Sequence, residues 1–110
     1  MSTIDNGTGE TKPWRPRTVI RTVREARATL ELPEAALKDA LVLGCRWEVD
    51  LDLPHHPETI ASAAIHVAAL ASETPVSQYE IADACGVTPH ATHQAKSSAV
   101  EADAVLSQLH

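Results

Sequence analysis

The side chains of this chain best suited to chemistry near neutral pH are its six histidines and two cysteines. His90 and His93 stand about one helical turn apart and His55 and His56 are adjacent, so either pair offers two imidazoles to a shared ion. Two ligands fall short of a metal site, and the chain has neither an HExxH spacing nor a carboxylate and cysteine set clustered with either pair. Cys45 and Cys85 lie forty residues apart, outside any CxxC pair, and read as buried thiols of a reducing cytosol. No Ser/His/Asp or Cys/His arrangement, phosphate-binding glycine loop or inward carboxylate pair emerges. The expectation is a protein that is not an enzyme and holds neither metal nor cofactor. His66, in an alanine-rich stretch, is expected to be partly buried and bonded to a backbone carbonyl.

A different chemistry is offered by Thr88, His90, His93, Gln94, Lys96 and Ser97, whose donors and acceptors suit the edges and phosphates of nucleic acid. Arg17, Arg21 and Arg24 recur at helical spacing and read either as a solvated helix face or as a phosphate-contacting strip. The first set is positioned by PVSQYEIADACGVTPHATHQ, Pro75 to Gln94. Within it Ser77 and Glu80 form a capping box, with Val76 placed to staple onto Ile81. Gly86 suits the left-handed end of that helix, and Thr88 and Pro89 suit the cap and first turn of the next. Two short helices joined by so sharp a turn make a helix-turn-helix candidate, whose second helix would enter the major groove. The same pattern also serves as plain architecture in helical domains.

The remaining elements follow from apolar spacing. Residues 1–16 hold two glycines and two prolines with little apolar content, which predicts a flexible arm with Trp14 as its one anchor. A helix is expected from Arg17 to Leu30 on Val19, Val23, Ala26 and Leu30. A second follows Pro33, with Leu37, Ala40, Leu41, Gly44 and Trp47 inward, and EVDLDLPHH, residues 48–56, reads as a connecting loop. The third, Pro57 to about Ser72, is apolar almost all round and should be central. The fourth is Ser77 to Cys85. The fifth runs from Pro89 to about Leu109, with Ala91, Ala95, Ala99, Ala102, Val105 and Leu109 as its buried stripe.

With 110 residues, one domain is expected, residues 17–110, and with aromatics at only 3% its core must be built from Ala, Val, Leu and Ile, which favours an all-α fold. No apolar run approaches the ~18 residues of a membrane span, and a soluble, cytoplasmic protein with no membrane or small-molecule partner is expected. Charge is unevenly divided: residues 1–27 carry six basic side chains against three acidic ones, residues 28–110 three against twelve. So acidic a body argues against charge-driven adhesion to DNA. Its few lysines and many carboxylates also match proteins that work in concentrated salt, where acidity serves solubility.

PETIASAAIHVAAL followed by PVSQYEIADACGVT, with ATLELPEAAL upstream, resembles one cyclin-like repeat of the archaeal transcription factor B and transcription factor IIB family. The resemblance covers about Thr18 to Leu109 and lacks the family's second repeat and zinc ribbon. It implies a five-helix cyclin-like fold with a C-terminal helix-turn-helix, and a small transcription-related protein that binds promoter DNA or modulates basal initiation. TATA-binding protein and RNA polymerase are the partners it implies. Val87 and Thr88 match the start of the family's recognition helix, while Thr92, His93 and Lys96 stand about where the family has Ile, Arg and Tyr. Loss of that arginine removes a usual phosphate or guanine contact. A cyclin-like module that binds proteins and leaves DNA alone is the alternative.

Overall fold

The computed structural model describes residues 14–51 and 53–108, of which 106–108 are described in backbone only. These residues form five helices and, among them, no strand: α1 (Trp14–Leu30), α2 (Glu34–Asp50), α3 (Pro57–Ala71), α4 (Gln78–Cys85) and α5 (Pro89–Gln108). None is long and apolar enough to cross a membrane.

α3 is the hub. Ten of its fifteen residues are buried, five of them alanines, and it packs against all four other helices. Small side chains around the whole circumference let neighbours approach on every side. Gly44 on α2 serves the same end: a Cβ built there would lie 2.7 Å from Val19 Cγ1 on α1 and 3.5 Å from Ala64 Cβ on α3. The apolar core divides around α3. One part gathers Val19, Val23, Ala26, Ala36, Ile65 and Ile81, and the other gathers Trp47, Ile60, Ala63, Ala64, Ala95 and Ala99.

Three helices end alike. Leu32 N–H donates to Arg27 O, Thr74 N–H to Ala69 O and Val87 N–H to Ala82 O, each five residues back, the bond that closes a helix through one left-handed residue. That residue is Gly86 in α4 but Glu31 in α1 and Glu73 in α3, at φ of 54° and 56°.

Several boundaries differ from the sequence expectation. α1 starts at Trp14, so residues 14–16 belong to a helix and not to an arm; Met1–Pro13 lie outside the described residues. The earlier start is held by Arg15, which grips Glu48 at 2.6 and 3.2 Å and donates to the His55 carbonyl at 2.6 Å. Glu48, Val49 and Asp50 complete α2 and are not loop. On α5 the predicted stripe holds at Ala95 and Ala99, which are buried, and the line shifts to include Thr92; Ala91 and Ala102 are half-buried, Val105 is 56% exposed, and Leu109 lies outside the described residues. Thr92 turns inward because its hydroxyl lies 2.9 Å from that of Ser62 on α3.

Candidate nucleic-acid interface

The α4–turn–α5 unit is fastened at each corner by its own sequence. Ser77 Oγ accepts from Glu80 N–H at 3.1 Å while Ser77 N–H donates to Glu80 Oε1 at 2.8 Å. Val76 packs against the core cluster that holds Ile81. Gly86 is left-handed at φ 73°, after which Thr88 Oγ1 accepts from Ala91 N–H at 3.0 Å and α5 opens on Pro89. Gln78 Nε2 donates to the Pro89 carbonyl at 3.0 Å and thereby ties the starts of the two helices together.

This framework fixes which face α5 shows. Thr92, Ala95 and Ala99 are buried, so Thr88, His90, His93, Gln94 and Ser97 are exposed on the turn and the opposite face, with Lys96 half-buried at its edge. Thr92, expected among the recognition positions, belongs to the core. Its hydroxyl donates to Thr88 O at 3.1 Å and Ser62 Oγ donates to Thr59 O at 2.8 Å. Each hydroxyl has one proton, so with both carbonyls served the Thr92–Ser62 contact has no donor. The pair therefore shares two protons among three contacts.

His66 differs from expectation. It is half-buried on α3, and among the described residues its buried Nδ1 has no hydrogen-bond partner, carbonyl or other. Burial lowers its pKa from the ordinary 6.5, and the charges of Lys96 and His93 lower it further. Their influence marks the edge where the α5 face borders α3.

Further along α5, Asp103 is a clamp and not a free surface carboxylate. It accepts from Arg46 at 2.7 Å and from the indole of Trp47 at 3.2 Å, which satisfies the N–H of a side chain only 1% exposed.

Arg17, Arg21 and Arg24 are exposed on the side of α1 opposite its buried residues, and among the described residues none makes an ion pair. Arg27 is separate from them, reaching Glu34 at 3.4 Å. With Ile20 and Glu25 the three arginines line an open groove of about 410 Å³. Ile20 was legible only as an apolar residue off the Val19–Val23–Ala26 stripe. α4 packs on both α1 and α5, which pack little on each other, and α4 shows Tyr79, Glu80 and Asp83 to solvent. Exposed carboxylates thus stand on the helix that packs on both α1 and α5.

Chemistry elsewhere is sparse. Burial raises the Cys45 pKa and pushes Cys85 up to about 12, which keeps both thiols protonated near neutrality. Among the described residues no three of His, Cys, Asp and Glu converge as a metal site. No family model, curated protein or solved structure matches this chain.

Proposed function

We propose that this chain is a small transcription-related protein whose α4–turn–α5 unit works as a helix-turn-helix, bringing the first turns of α5 to the major groove of DNA. The observation that carries the reading is the exposed α5 face of His90, His93, Gln94 and Ser97, led by exposed Thr88 on the turn, held by a doubly capped turn and backed by buried Thr92, Ala95 and Ala99. Within this reading Gln94 is the base-reading side chain, since an amide can donate and accept together at adenine. Lys96 and the Thr88 hydroxyl serve phosphate. The resemblance to one cyclin-like repeat of the transcription factor B family supports the same assignment, with promoter DNA as ligand. Selection from a randomised duplex pool tests it: the wild type should enrich a defined sequence, and Gln94→Ala should relax one position of it. Enrichment of no sequence would remove base reading.

The second reading is a cyclin-like protein-binding module that modulates basal initiation, with TATA-binding protein or RNA polymerase as partner and no DNA contact. Exposed Glu80 and Asp83 on α4, which packs on both α1 and α5, favour it, because no positive strip runs along α4 to join the arginine row to the α5 face.

A further inference from the structure

The groove on α1 has a composition that the α5 surface lacks. Its rim is a row of three guanidiniums, Arg17, Arg21 and Arg24, with no carboxylate partner among the described residues; its apolar element is half-buried Ile20, and Glu25 completes the lining. We propose that this groove docks an acidic, amphipathic segment of a protein partner, independently of any DNA contact made by α5. From Arg17 to Arg24 the helix rises about 10 Å, so carboxylates one turn apart on a helical segment can meet the row in register. Apolar side chains of the same segment cover Ile20 and the aliphatic stems of the arginines. A phosphate backbone matches the charge but brings nothing to the apolar part of the groove. Nor does the row extend the α5 face, since α1 and α5 pack little on each other and the helix that packs on both, α4, carries exposed Glu80 and Asp83 and no basic residue.

The test is a nuclear magnetic resonance titration of the full chain, labelled with nitrogen-15, with a synthetic peptide of roughly 14 residues. The peptide has leucines on one helical face and glutamates at one-turn intervals along its edge; a control has glutamine at each glutamate. The expected result is saturable binding with shifts centred on residues 17–25 and much weaker binding of the control. Arg17→Glu, Arg21→Glu and Arg24→Glu combined should weaken binding by about tenfold or more, with helicity by circular dichroism unchanged. Ile20→Ser, tested separately, should weaken it by about threefold or more. Equal affinity for the control peptide, shifts centred elsewhere or no saturation would overturn the proposal. Displacement of the peptide by duplex DNA would reassign the groove to nucleic acid, and a dimer in sedimentation that the arginine reversals dissociate would reassign it to a second copy; either result also overturns it.

Discussion

At the scale of single residues, Gly44 and His66 each make a specific demand on the fold. A methyl at Gly44 meets Val19 Cγ1 at 2.7 Å, in a side chain with no exposed surface into which to move. Alanine's better helix propensity offsets only part of that clash, so Gly44→Ala is expected to cost about 1–2 kcal/mol in urea denaturation. His66 makes its demand through pH. Its folded-state pKa lies below the unfolded value near 6.5, so between the two values the unfolded chain binds more protons. Stability is therefore complete above about pH 6.5 and declines as pH falls toward the lower folded value. His66→Gln should flatten that part of the pH profile relative to wild type, measured as urea midpoints from pH 7.5 down to 5. An unchanged slope would show that another group controls it.

At the scale of elements, local chemistry explains which boundaries could be read in advance. The start of α4 was legible because Ser77 and Glu80 satisfy one another within four residues, and its end because Gly86 is the residue type a left-handed position favours. Glu31 and Glu73 occupy the same position at the ends of α1 and α3 without that signature, and each sets a negative charge at the negative end of a helix dipole. Glu73→Gly is accordingly expected to stabilise the protein by about 0.5–1 kcal/mol, whereas Ser77→Ala should cost about 1 kcal/mol. Thermal melts of the two variants, moving in opposite directions, check both. On α5 the alanine spacing placed Ala95 and Ala99 correctly but missed Thr92 and misplaced Val105. The inward turn of Thr92 depends on Ser62, thirty residues away, which no local spacing shows. The early start of α1 likewise rests on the distant partners Glu48 and His55 of Arg15. On the candidate interface, Thr88, His90, His93, Gln94 and Ser97 were each readable as polar positions beside a recognisable turn. That α4, with its exposed carboxylates, packs on both α1 and α5 is a fact of packing.

At the scale of the whole molecule, charge sets how DNA can be bound. Outside residues 1–27 the chain has three basic against twelve acidic side chains, and the proposed α5 footprint contains one of the three, Lys96. Each neutralised phosphate contributes about −0.9 to the slope of log affinity against log salt. An α5-only footprint therefore predicts a slope near −1, and engagement of Arg17, Arg21 and Arg24 as well would steepen it toward about −4. The slope thus distinguishes a DNA contact confined to α5 from one that recruits the α1 groove. Fluorescence-anisotropy titration of the full chain against a labelled core-promoter duplex and a scrambled duplex, across a salt series, is the most direct measurement. A DNA contact confined to α5 gives tighter binding to the promoter duplex, a shallow salt dependence that the arginine reversals leave unchanged, and loss of the preference in Gln94→Ala. Absence of binding to both duplexes at every salt concentration would contradict it and leave the α4–turn–α5 unit as architecture in a protein-binding domain.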